Sequence, residues 1–147
     1  MSLECGLIPM DELEHALRLT AKCQSPKDWQ TKTGSFVPKG AIADHINFDA
    51  TPIYFAGTYD TQKQGHPFGY YPCLDDHFYF VEMAWQLVTA GKSKAVLRED
   101  FDGLDLLARL DEAFAVPNVK GASDLVWCDE EKRGISFGFT DVVTRTG

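Results

Sequence analysis

The residues best placed to do chemistry are carboxylates that follow a loop and open an apolar run. Asp49 does so in Asp49-Ala-Thr-Pro-Ile-Tyr-Phe, Asp75 and Asp76 in Asp75-Asp-His-Phe-Tyr-Phe, and Asp141 in Gly138-Phe-Thr-Asp. A carboxylate there can cap a helix and sit at the positive end of its dipole, which needs no ligand. It can also present oxygens to a bound molecule or exchange a proton with it. Asp75-Asp76-His77 offers oxygen and nitrogen ligands, but adjacent residues rarely aim at one ion, so no metal site is expected. His45, His66 and His77 could serve as acids or bases, yet they fall in no recognisable arrangement. A Gly-rich phosphate loop, a Gly-x-Ser-x-Gly elbow and a His-Glu-x-x-His pair are all absent from the sequence.

The element that must position these groups runs from Asp75 to Lys92. Phe80, Ala84, Leu87 and Val88 share one face at helical spacing, and Phe78, Tyr79, Val81, Met83 and Trp85 extend it around most of the circumference. Only Glu82, Gln86 and Thr89 form a polar strip, so this helix is predicted to be enclosed on most sides. Gly91 supplies its stop and Lys92 complements its negative end.

Met10 to Lys22 predicts a first helix, with Met10, Leu13, Ala16, Leu17 and Ala21 facing inward and His15 and Arg18 on the polar side. Gln24 to Phe48, punctuated by Pro26, Gly34, Pro38 and Gly40, reads as a long loop with a short strand near Ser35 to Val37. Thr51 followed by Pro52 predicts another helix start, leading into Ile53 to Ala56. Gly65 to Pro72 is a loop rich in aromatics. Ser93 to Glu99 predicts a helical turn or two, broken by Asp102-Gly103. Leu104 to Val116 predicts a helix with Leu106, Leu107, Leu110, Ala113 and Phe114 inward, against Asp105, Arg109 and Glu112, ended by Pro117. Residues 125–139 read as a small β-hairpin around a charged turn, after which Thr140 or Asp141 suits a helix N-cap.

The chain has 147 residues, a length that fits one domain, and 44% of them are hydrophobic. Its net charge of −8 opposes non-specific binding to nucleic acid or to an anionic membrane. No stretch approaches the roughly 18 to 20 apolar residues of a membrane span, and the N-terminus lacks the basic region of a secretory signal. Cys5, Cys23, Cys73 and Cys128 are widely separated, without a Cys-x-x-Cys pair. Reduced, mostly buried thiols in a cytoplasmic protein are therefore expected.

From about Asp44 to Gly147 the chain resembles the six-hairpin glycosidase superfamily, the (α/α)6 toroids of the glucoamylase, trehalase and debranching-enzyme type. Asp49-Ala-Thr-Pro-Ile-Tyr-Phe is similar to the start of an inner helix in those toroids. Asp75-Asp-His-Phe-Tyr-Phe-Val-Glu-Met-Ala-Trp-Gln-Leu-Val, with Thr-Ala-Gly-Lys-Ser-Lys-Ala-Val-Leu after it, resembles the next inner helix and its exit. Phe137-Gly-Phe-Thr-Asp is similar to a segment that carries a functional Asp in the trehalase-like branch.

The resemblance implies a mainly α fold of helical hairpins and hydrolysis of O-glycosyl bonds by paired carboxylates, without a cofactor. It implies Asp141 as the catalytic acid, with its partner base beyond Gly147. Asp49, Tyr70, Tyr71, Asp75, Asp76 and His77 would bind an oligosaccharide or glycoside through hydroxyl contacts and ring stacking. Twelve helices of about 12 residues joined by about 5 need roughly 200 residues. The expectation is thus an incomplete toroid that self-associates through exposed apolar helix faces, with little activity by itself. Two other readings stay open: a non-catalytic helical binding or scaffold domain, and a sugar epimerase or isomerase on the same architecture.

Overall fold

The structure, a computed structural model, describes residues 9–30, 36–54, 75–90 and 94–117. These are mainly helical. Three α-helices, α1 (Met10–Lys22), α2 (Asp75–Thr89) and α3 (Leu106–Ala115), are supplemented by a 3-10 helix (Lys94–Arg98) and by short strand pairs. α1 buries Leu13, Leu17 and Ala21, an i, i+4, i+8 ladder, with Asp11 and Glu12 in its first turn. α2 buries His77, Phe80, Ala84 and Leu87. It packs against both α1 and α3. Ile42, Val96, Phe101, Leu106 and Leu110 complete the core around Phe80. Among the described residues no helix is long and apolar enough to cross a membrane.

Three two-stranded antiparallel pairs carry the turns: β1 (Trp29–Gln30) with β2 (Phe36–Val37), β3 (His45–Ile46) with β4 (Pro52–Ile53), and β5 (Asp100–Phe101) with β6 (Leu104–Asp105). The first two frame a second apolar cluster of Val37, Ala41, Ala43 and Tyr54, against which Trp29 and Ile46 pack. There Trp29 meets Tyr54 edge to face at 5.8 Å, and the Tyr54 hydroxyl donates to the Cys23 carbonyl at 2.6 Å.

Four expectations are corrected. Thr51-Pro52 does not start a helix: Pro52 pairs with Ile46 and Ile53 with His45. Asn47 N–H donates to the Thr51 carbonyl, Ala50 N–H to the Asn47 carbonyl, and Ala50 takes a left-handed φ of 64°. That turn reverses the chain where a helix would have continued it, and Pro is tolerated because the strand is an edge. Asp102-Gly103 is more than a helix breaker. Both residues have positive φ (55° and 88°), the geometry of a tight hairpin turn, and Leu104–Asp105 is a strand before α3 begins.

On α3 the inward face is rotated from the expected one. Arg109 is buried, whereas Leu107 and Phe114 are exposed. The Arg109 guanidinium donates to the Phe101 carbonyl and to Gln24 Oε1, so protein acceptors satisfy the buried cation. The fourth correction concerns α2. It buries the Phe80, Ala84 and Leu87 face but leaves Tyr79 58% and Trp85 60% exposed, so it is not enclosed on most sides. The expected hairpin at 125–139 lies outside the described residues.

Candidate functional site

The site begins at the first turn of α2, where Asp75, Asp76 and His77 are consecutive. His77 is wholly buried, and its Nε2 accepts the Ile42 N–H at 3.1 Å. A ring nitrogen that accepts an N–H carries no proton itself, so the neutral ring holds its hydrogen on Nδ1. This bond ties the start of α2 to the Ala41–Ala43 segment, directly ahead of the β3–β4 hairpin. The same segment is fixed from its other side. Ser25 N–H donates to the Ala41 carbonyl, Gly40 N–H donates to the Ser25 carbonyl, and Gln24 Nε2 donates to the Gly40 carbonyl.

Asp75 and Asp76 sit where the helix dipole favours negative charge. One oxygen of each is buried, and Asp75 Oδ1 has no hydrogen-bond partner among the described residues. A buried acceptor without a donor costs about 1–3 kcal/mol, which marks Asp75 Oδ1 as the unsatisfied group of this turn among the described residues.

Asp49 stands apart at the tip of the β3–β4 hairpin, exposed, with Oδ1 accepting the Thr51 N–H at 3.0 Å. That backbone bond holds its carboxyl below the usual carboxylate range. Next to it, Phe48 projects fully into solvent. His45, at the hairpin's base, meets the Asp44 carboxylate at 2.9 Å. Asp75, Asp76 and His77 are thus brought together by a single helical turn, with Asp49 on the hairpin that the His77 bond helps to seat. Tyr70, Tyr71 and Asp141 lie outside the described residues. Among the described residues no group of three His, Cys, Asp or Glu side chains could hold a metal ion.

Two features escape a sequence reading. Gln24 and Arg109 form a buried polar pair that clamps α3 to the loop after α1. Its only local hint is a Gln directly after a helix end. The second is the outward face of α2. Phe78 and Trp85 are separated by two turns with Glu82 between them, and Phe78 meets Phe114 of α3 edge to face at 6.5 Å. The Phe78, Glu82, Trp85 spacing was the available signal, since a carboxylate in the middle of an apolar strip argues against full burial.

Compared with known protein families, with curated proteins and with solved structures, the chain shows no match to any.

Proposed function

We propose that the chain is a carbohydrate-active domain of glycoside-hydrolase type, built on α/α helical hairpins of the six-hairpin kind and acting in the cytoplasm. The observation that carries the reading is Asp75 Oδ1 at the head of α2, buried and without a hydrogen-bond partner among the described residues. It stands within the sequence stretch that resembles an inner toroid helix. In this reading Asp75 and Asp76 accept hydrogen bonds from sugar hydroxyls, and the Ile42–His77 bond fixes the turn that carries them. Asp49 on the hairpin also accepts from sugar hydroxyls, and Tyr70 and Tyr71 stack on sugar rings. Asp141 protonates the leaving oxygen, while a second carboxylate acts on the opposite face of the ring.

The test is thermal unfolding against a panel of oligosaccharides. A ligand present at about 100 times its Kd stabilises by about 2.7 kcal/mol, which raises the midpoint by several degrees. At least one sugar is expected to do so, and Asp75→Asn is expected to shrink the shift. A panel with no shift overturns the proposal.

The second reading, a non-catalytic helical binding domain, is favoured by the exposed aromatic side chains of α2 and α3. Turnover of a glycoside that is abolished by Asp141→Asn would favour the hydrolase and would refute the expectation that this chain has little activity by itself. The epimerase reading draws on His45, His66 and His77; of these, the His77 Nε2 already accepts the Ile42 N–H, and His66 lies outside the described residues.

A further inference from the structure

The outward strip of α2 is distinct from the first-turn carboxylates. Phe78, Glu82 and Trp85 stand at i, i+4 and i+7, on one side of the helix and about 10 Å from end to end. Tyr79 borders the strip, 58% exposed, and Trp85 is 60% exposed. α3 continues the surface through Phe114, whose ring meets Phe78, and Asp111 lies one turn before it on the same helix.

The charged side chains of this strip, Glu82 and Asp111, are both negative, while Lys39 pairs with the neighbouring Glu112 of α3. α2 contains no Lys or Arg, and the single base of α3, Arg109, is buried against the Phe101 carbonyl. Electron-rich aromatic faces interleaved with carboxylates, and no exposed base on either helix, complement a cation carried on an apolar stem. A second copy of the chain is disfavoured, because facing strips would set Glu82 and Asp111 against their equivalents on two chains of charge −8 each. A flat sugar platform is disfavoured too. The Phe78 and Phe114 planes cross at 78°, which makes a ridge.

We propose that the α2–α3 face is a docking surface for a basic amphipathic segment of a partner protein, an Arg- or Lys-bearing helix whose aliphatic residues cover Phe78 and Phe114. The cations pack on Trp85 and Tyr79 and pair with Glu82 and Asp111. This does not depend on the carbohydrate reading.

The probe is a fluorescently labelled helical peptide of about 14 Arg and Leu residues, compared with a peptide carrying Glu in place of each Arg. Fluorescence anisotropy is read on the full chain at low and high salt. The Arg peptide is expected to bind and to weaken with salt, while the Glu peptide does not bind. Trp85→Ala and Glu82→Lys are each expected to lower affinity about tenfold with the unfolding midpoint unchanged, since both side chains are exposed. Glu12→Lys, which changes net charge equally on the exposed side of α1, is expected to alter affinity less than about twofold.

The inference is overturned if neither peptide binds, if both bind alike, or if Glu12→Lys weakens binding as much as Glu82→Lys. A dimer in sedimentation that Trp85→Ala dissociates would assign the face to a second copy. An oligosaccharide whose binding Trp85→Ala abolishes would assign it to sugar. Either outcome also overturns the inference.

Discussion

Replacing Arg109 with Ala tests whether a buried cation held by a carbonyl and an amide oxygen can hold this fold together. The guanidinium donates through Nε at 3.1 Å and through Nη2 to the Phe101 carbonyl, and through Nη1 at 3.3 Å to Gln24 Oε1. Gln24 Nε2 in turn donates to the Gly40 carbonyl at 3.0 Å and to the Arg109 carbonyl at 2.9 Å. The cluster joins the end of α1, the Gly40 turn, β5 and α3. Arg109→Ala leaves two buried acceptors without a donor, at about 1–3 kcal/mol each, and removes the packed stem. Against this, the variant no longer carries the desolvation cost of a cation that has no acidic partner among the described residues. The net expectation is a loss of about 3 kcal/mol, or about 6–12 °C in the unfolding midpoint. Gln24→Ala is expected to cost about 2 kcal/mol, and the double variant about 1–2 kcal/mol less than the sum, because both substitutions delete the same Nη1–Oε1 contact. Urea unfolding followed by circular dichroism measures all three. A loss below about 1 kcal/mol for Arg109→Ala, or additivity within about 0.5 kcal/mol, refutes the clamp.

Gly40→Ala is expected to destabilise by about 2–3 kcal/mol in the same assay: φ is +83°, and a Cβ would stand 2.7 Å from the Glu112 carbonyl oxygen. A neutral result would mean that the turn relaxes away from α3. Burial pushes the Tyr54 hydroxyl up to about 12. A raised folded-state value contributes stability that is fully present below pH 10 and is lost as pH rises towards 12, so Tyr54→Phe is expected to flatten the alkaline limb of the stability curve. The Arg18 hydrogen bonds hold the Glu99 carboxyl below its ordinary value. Its contribution is therefore present above about pH 4.3 and lost as pH falls through the folded value, and Arg18→Met is expected to flatten that acid limb. Solvent screening keeps the effect under about 1 kcal/mol, and an acid limb unchanged by Arg18→Met would show that the pair contributes nothing. Cys23 is buried, with its thiol pushed up by desolvation, so peptide-level mass spectrometry is expected to find it unalkylated in the native chain and alkylated after unfolding.

Local periodicity made α1 legible to the residue, because Leu13, Leu17 and Ala21 repeat on one face and nothing competes with them. α2 was legible for the same reason, and its Phe80, Ala84, Leu87 face is the buried one. The β3–β4 hairpin was not, since Thr51-Pro52 suits a helix start and an edge strand equally well. What decides is distant: Tyr54 finds Trp29 and the Cys23 carbonyl across the chain, and the Asn47–Asp49 turn closes around Ala50. β5 and β6, two residues each, are too short to show alternation, so the Asp-Gly between them read only as a break. Arg109 is placed outward by a helical wheel, which counts charge as solvent-seeking. Its acceptors, Phe101 and Gln24, lie 8 and 85 positions away. Of the site, the adjacency of Asp75, Asp76 and His77 was visible. The burial of His77 was not, because its partner is a backbone N–H thirty-five residues earlier.

Under the two proposals the three regions of α2 carry separable tasks. Apolar packing of Phe80, Ala84 and Leu87 against α1 and α3 fixes the rotation of the helix about its axis. That rotation decides that Trp85 and Phe78 face out, and that one Asp75 oxygen is buried without a donor among the described residues. Because the inner face sets both, Asp75→Asn and Trp85→Ala should leave each other's ligand untouched, whereas Phe80→Ala should weaken both together. Truncating a fully buried Phe costs about 3–5 kcal/mol and lets the helix shift into the space vacated. If sugar binding and peptide binding responded to Phe80→Ala in opposite directions, with the fold intact, the helix would not be acting as one rigid support.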